Sequence, residues 1–359
     1  MRKTILSLAL TAVATFGIVE STQACTVFVG KTPAGDAPVI GRTIEFGFAD
    51  QSKMQSIDLE IEKFPRGTEV VSADKSMTWV AKYGYIKTHA HDVAAEGINE
   101  AGLYVALLWF IDGEWQARVA GGNNLATYEA VEWMLGNFNK ASDAATALKN
   151  INVYQTADTG LGIEIPAHWM VVDKTGQSFV IEHIDGEAIV TNTSESGVMT
   201  NSPKISEHTQ HFSDFIAANP KLDSSKNETN MELPNLPGSY SAKDRYTRTR
   251  VLRDLTPEPT SSSQAVNQVV HIMNNTDYVR GVVEFEGRGS AGGSQETTSS
   301  HIADLENMDY YYRTAENMTL YKIDMNKVDF GESSGRTSLD PFNGVSYIES
   351  TGALTRSSK

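Results

Sequence analysis

The chain has 359 residues, 30 Lys and Arg against 45 Asp and Glu for a formal net charge of −15, and a single cysteine. So acidic a surface repels phosphate backbones and anionic membranes, which argues against nucleic acid or a membrane as partner. One thiol excludes a disulfide scaffold, and a 40% hydrophobic composition over this length supports one large domain or two modest ones.

The chain opens Met1-Arg2-Lys3, runs uncharged from Thr4 to Val19, and reaches Ala24 through Glu20 and small or polar residues. That is the pattern of a secretory signal peptide, and its uncharged run is short for a bilayer span. Thr22 and Ala24 occupy the small-residue positions before the Ala24–Cys25 bond. Cleavage is expected there, giving a soluble periplasmic or secreted protein that begins with Cys25. Lipidation of that cysteine would instead give an anchored binding protein, but Thr22-Gln23-Ala24 matches a lipoprotein leader poorly. The expected division is a signal peptide over 1–24, one catalytic domain over 25–330, and a Ser/Thr/Gly-rich extension over 331–359.

From Cys25 the chain reads as strands: "CTVFVG", "APVIGRTIEFG", "SIDLEIEKF", "TWVAKYGYIK" and "GLYVALLWF", separated by Gly, Pro, Asn and Asp. Helical periodicity follows over 125–138 and 142–151, the second with Ser142 as N-cap. Short strands "HWMVVD", "SFVIEHI", "EAIVT" and "GVMTN" come next, then a polar loop over 219–241 and helices over 243–255 and 261–274. "YVRGVVEFE", "YYYRT" and "LYKIDM" close the series as strands. Strands in blocks with helices grouped between them predict two antiparallel sheets covered by helix layers.

Three motifs carry less than they suggest. "GRGSAG" (287–292) fits a dinucleotide fingerprint, but the polar "GSQETTSSH" that follows it supplies no helix, so a loop is expected. His89 and His91 alternate on one strand face without a third ligand, which favours a packing role over a metal site. Arg245, Arg248, Arg250 and Arg253 read as a solvated helix face with salt bridges, with room for one specific role.

Cys25 is the sharpest chemical signal. A thiolate attacks carbonyls, and it needs a base for its proton and positive charge to lower the thiol pKa. A first-residue cysteine brings its own base, because the free α-amine has a reference pKa of about 7.7–8. Leader cleavage would therefore export the protein and uncover the general base together.

The ordered pieces "ACTVF", "GRTIEFG", "FPRG", "WVAKYGYI", "EGINEAGL", "DKTGQSFVIEHIDG", "VMTNSP", "DRYTR" and "YYYRT" resemble the choloylglycine hydrolases. This family includes bile salt hydrolases and penicillin V acylases and belongs to the N-terminal-nucleophile hydrolases. The resemblance implies a four-layer αββα sandwich of the α+β class. It implies Cys25 as nucleophile and Arg42 beside the thiol. Glu45 stands where the family has an aspartate holding the N-terminal amine, and alternation places it on the strand face opposite Arg42. Asn201 is implied as an oxyanion donor through its side chain, Trp109 as a second donor through its main-chain N–H, and Arg245 as a further active-site arginine. Trp109 and Phe46 would line the acyl pocket. The implied chemistry is hydrolysis of a small-molecule linear amide through a thioester, with no metal or organic cofactor, in a homotetramer. The exported chain and Trp109 are more similar to the Gram-negative branch, associated with penicillin V and N-acyl homoserine lactones, than to the cytoplasmic bile salt hydrolases.

Overall fold

The computed structural model describes residues 25–46, 59–226, 232–285 and 293–342, with Gly344 and Ile348. The predicted leader and the "GRGSAG" segment lie outside the described residues. In chain order the strands are β1 (Cys25–Val29), β2 (Val39–Phe46), β3 (Glu60–Phe64), β4 (Glu69–Val71), β5 (Thr78–Val80), β6 (Tyr85–Ala90), β7 (Val93–Asn99), β8 (Tyr104–Trp109) and β9 (Asn124–Ala126). Helices α1 (Ala130–Asn137) and α2 (Ala141–Lys149) follow, then β10 (Asn152–Tyr154), β11 (Ala167–Val172), β12 (Ser178–Ile184), β13 (Glu187–Asn192) and β14 (Val198–Thr200). Helices α3 (Ile205–Ala218), α4 (Ala242–Leu255) and α5 (Ser262–Met273) precede β15 (Val283–Phe285), β16 (Gly293–Asp304), β17 (Asp309–Thr314), β18 (Tyr321–Asp324) and β19 (Thr337–Leu339).

Two antiparallel sheets form the middle layers. The first has the order β14-β1-β2-β16-β17-β18, with β15 beside β16; the second runs β13-β12-β11-β8-β7-β6-β3-β19. Alternation sorts each strand into two faces. Val27, Ile40, Ala106, Leu108 and Met170 fill the layer between the sheets. On the far side of the second sheet, Val105, Trp169 and Ile181 pack against Val131, Leu135 and Leu148 of α1 and α2. Helices α4 and α5 rest on the outer face of the first sheet. The four-layer αββα sandwich is thus the architecture of this chain.

Several elements differ from their sequence reading, each for a physical reason. "GSQETTSSH" belongs to β16, paired to β2 on one side and β17 on the other. Its hydropathy is low because hydroxyl and amide side chains from Gln295 to Ser300 are buried there. Helix α3 lies where no helix was expected: Lys204 precedes it without a side-chain cap, and only Ile205 and His208 of it are fully buried. The Ala- and Gly-rich β7 also went unread. The first helix starts only at Ala130, after strand β9 and a 3₁₀ turn. Ser142 does not cap α2. Lys140 holds that position, and the Ala141 N–H donates to Asp173 Oδ2 at 2.8 Å.

Helix α5 approaches the first two strands closely because glycine leaves the space. A Cβ at Gly41 would stand 2.5 Å from Val269 Cγ1 and 3.0 Å from the Phe28 ring. Gly41→Ala should therefore overpack this contact and cost about 1–3 kcal/mol. Urea unfolding should show a lower midpoint with an unchanged slope; an unchanged midpoint would mean that α5 moves aside freely.

Candidate active site

Cys25 heads β1, opposite Ile44 of β2 on one side, while Thr26 pairs with Thr200 of β14 on the other. Asn201, one residue beyond that ladder, is brought to the first residue of β1. The Cys25 main-chain N–H donates to Asn201 Oδ1 at 2.5 Å. Arg42, on the face of β2 that looks to the second sheet, places Nη2 3.8 Å from Cys25 Sγ and donates to the Leu107 carbonyl at 2.7 Å.

Those carbonyls are available because the second sheet opens here. The β7–β8 ladder ends at the Glu96–Ala106 pair, while β8 continues alongside β11 to Trp109. The Phe110 N–H donates to Pro166, so the polar groups of Leu107 and Trp109 face the β7 side, where the pairing has stopped. Arg42 takes the Leu107 carbonyl, and Asn201 Nδ2 donates to the Trp109 carbonyl at 3.1 Å. The opening is an apolar pocket of about 70 Å³ bordered by Cys25, Phe46, Val93, Trp109, Leu161 and Asn201. Phe46 and Trp109 meet edge to face, with centroids 6.4 Å apart.

The outer face of the first sheet holds the remaining two predicted site residues. Arg245, from α4, is 1% exposed and donates from Nη1 to the Cys25 carbonyl at 2.6 Å and to Thr26 Oγ1 at 2.8 Å. Its Nη2 donates to Asn201 Oδ1 at 2.9 Å. The Asn201 oxygen is therefore occupied by two donors, which turns its NH₂ toward Trp109 and the pocket. Glu45 leaves β2 on the face opposite Arg42 and accepts from Thr297 Oγ1 at 2.7 Å.

Burial dominates the electrostatics. It pushes the Cys25 thiol above its ordinary pKa, with Arg42 and, more weakly, Arg245 pulling the other way. Burial raises Glu45 to about 8, against the opposing pull of Arg245 and Thr297. Glu96 goes the other way. Burial alone would raise it, but His301, Arg42 and the Tyr104 hydroxyl hold it at about 2. Its carboxylate sits 3.5 Å from Arg42 Nε and 3.0 Å from His301 Nδ1, and it accepts from the hydroxyls of Tyr104 and Tyr310.

The family model described as linear amide C–N hydrolases, choloylglycine hydrolase family, matches residues 25–340. The chain belongs to this family. It is accordingly a hydrolase of linear amides. Among curated relatives, the bile salt hydrolase/transferase of Clostridium perfringens is 29% identical over 290 residues, covering 76% of this chain and 86% of the relative. The penicillin V acylase of Pectobacterium atrosepticum is 22% identical over 371 residues, covering 97% and 93%. Among solved structures, conjugated bile acid hydrolase from Clostridium perfringens superimposes with a TM-score of 0.75 at 26% identity, covering 90% of this chain and 99% of that one.

The fold thus brings Cys25, Arg42, Phe46, Trp109 and Asn201 to one pocket, with Glu45 at its edge and Arg245 behind β1. The arginines of α4 are less solvated than their spacing suggested: Arg245 and Arg248 are buried, Arg248 donating to the carbonyls of Pro237, Ser239 and Asn275. His89 and His91 do not share a face, because His91 turns at φ 53° beyond the end of β6. Among the described residues no group of three or more His, Cys, Asp or Glu side chains is placed to hold a metal ion. Sequence reasoning passed over Glu96, although it stands in "EGINEAGL". A carboxylate at an inward position of a short apolar run was the available signal.

Glu96→Gln would leave the Arg42 charge buried without its counterion and should cost about 3–5 kcal/mol at pH 7. A carboxyl held at about 2, against an ordinary 4.5, stabilises the fold above that ordinary value and loses its contribution as pH falls through about 2. The difference between wild type and variant in urea unfolding should hence shrink from pH 4.5 toward 2. A pH-independent difference would contradict this assignment of the charge.

Proposed function

We propose that the mature chain begins at Cys25 and that this residue is both nucleophile and, through its freed α-amine, general base. The observation that carries this reading is the placement of Cys25 at the head of β1. Its nitrogen lies on Asn201, its sulfur lies beside Arg42, and both border one apolar pocket. The family match that starts at Cys25 supports the same boundary. The α-amine takes the thiol proton, and the sulfur attacks the acyl carbonyl. Asn201 Nδ2 and the Trp109 main-chain N–H donate to the resulting oxyanion. The amine then hands its proton to the leaving nitrogen, the C–N bond breaks, and water hydrolyses the thioester to the free acid.

The aromatic pair Phe46–Trp109 and the aliphatic side chains around it favour an apolar acyl group. We take penicillin V or a long-chain N-acyl homoserine lactone as the substrate class. Conjugated bile salts are the second reading, supported by the name and coverage of the Clostridium perfringens relative.

Intact mass of the exported protein should equal the chain from Cys25 with a free amine. Retained Gln23-Ala24 or a diacylglyceryl adduct would overturn the assignment. Cys25→Ser should abolish turnover, and Asn201→Ala should lower kcat by about 10²–10³. Comparing kcat/KM for penicillin V, acyl homoserine lactones and glycine- or taurine-conjugated bile acids decides the acyl group.

A further inference from the structure

Asn201 lies one residue past the β1–β14 ladder, so sheet pairing does not hold its own carbonyl. That carbonyl receives a hydrogen bond from α3: His208 Nε2 stands 2.8 Å from Asn201 O. A carbonyl can only accept, so Nε2 carries the ring proton and Nδ1 is left as a buried acceptor with no partner. Thr200 Oγ1, 3.3 Å from the same nitrogen, spends its own proton on the Ala242 carbonyl at 3.0 Å. It is a second acceptor for Nε2 rather than a competing donor. The ring is 1% exposed and stacked on Tyr246 with centroids 5.0 Å apart and an interplanar angle of 19°. Tyr246 follows Arg245, whose guanidinium holds the Asn201 side-chain oxygen. Burial lowers the His208 pKa to about 3, which keeps this donor in one neutral form throughout the working range.

We infer that His208 is a positioning residue for the oxyanion donor, fixing the Asn201 main chain from α3 while Arg245 fixes its amide from α4. This rests on the reading of Asn201 given above. Neither group touches substrate. Each removes one freedom of the amide: Arg245 sets which atom faces the pocket, and His208 sets the peptide plane from which the side chain departs. A donor held in place before reaction stabilises a developing oxyanion without reorganising, so loosening it should weaken transition-state binding and spare ground-state binding.

His208→Phe keeps the ring and its stack on Tyr246 but deletes the N–H. His208→Gln restores an amide N–H at about the reach of Nε2, whereas His208→Asn does not. The readouts are kcat and KM for penicillin V, inhibition by phenoxyacetaldehyde, and binding of phenoxyacetate. If the substrate panel selects a bile acyl group, the glycine conjugate, aldehyde and free acid of that group take their place. The aldehyde carbon bonds to Cys25 Sγ as its C=O π bond breaks, and the oxygen occupies the oxyanion position before taking the thiol proton; the acid forms no such bond.

For His208→Phe we expect kcat and aldehyde affinity to fall together by about tenfold, with KM and acid binding within about twofold, the loss of one hydrogen bond. Gln should recover most of the loss. If Phe and Asn leave aldehyde affinity unchanged, or if Gln behaves as Asn does, His208 is structural only and the inference is overturned; should the Phe variant not fold, Asn against Gln decides. Asn201→Ala is the reference. If it leaves aldehyde affinity intact, the oxyanion reading itself fails; if it weakens the aldehyde and the His208 variants do not, only the present inference fails.

Discussion

A buried charge must be balanced where it stands, and the layer between the two sheets holds one at Arg42. Its guanidinium is 1% exposed, so the energy of taking it out of water has to be met by groups within reach. Glu96 meets part of it from the opposite sheet, and the Leu107 carbonyl meets another part. The remaining reach of Arg42 ends at Cys25 Sγ. Glu96 is itself tied to His301 and Tyr310 of the first sheet and Tyr104 of the second. The polar centre of the sandwich is therefore one connected unit. Replacing any member exposes another to an unpaired burial, and this fixes how β2, β7, β8, β16 and β17 sit relative to each other.

The pocket follows from the same arrangement. Strands β7 and β8 stop pairing at the level of Glu96, and the main-chain groups thus released are taken by side chains from the first sheet. Unpaired carbonyls in a buried sheet are costly, so the gap is stable only while Arg42 and Asn201 reach across to it. These two side chains and the sheet opening thus depend on each other.

How much of this was legible in the sequence depended on whether a residue's partners were local. The strands around Cys25, Arg42 and Trp109 were legible because each is a short run of mostly apolar residues, covered on both faces and bounded by turn residues. Cys25, Arg42 and Asn201 could be named from their motifs, although Asn201 is 176 residues from Cys25. Glu96 could not be given a role, because a carboxylate on β7 becomes meaningful only beside Arg42, Tyr104, Tyr310 and His301. β16 was hidden for a related reason. Its buried side chains include threonines that satisfy their hydroxyls in tertiary contacts, such as Thr297 on Glu45 and Thr298 on the Phe46 carbonyl, so its composition resembles a loop. Helix α3 was missed because tertiary contacts, not capping or a full apolar stripe, stabilise it, and His208 was missed with it.

Residue 109 divides its two ends between two tasks. Its main chain, held in line by β11 and by Asn201, belongs to the fixed frame, while its indole belongs to the pocket wall beside Phe46. Exchange of that side chain would reshape the pocket while leaving the main-chain hydrogen bonds of residue 109 in place. At this one position, therefore, pocket shape and backbone frame are separable.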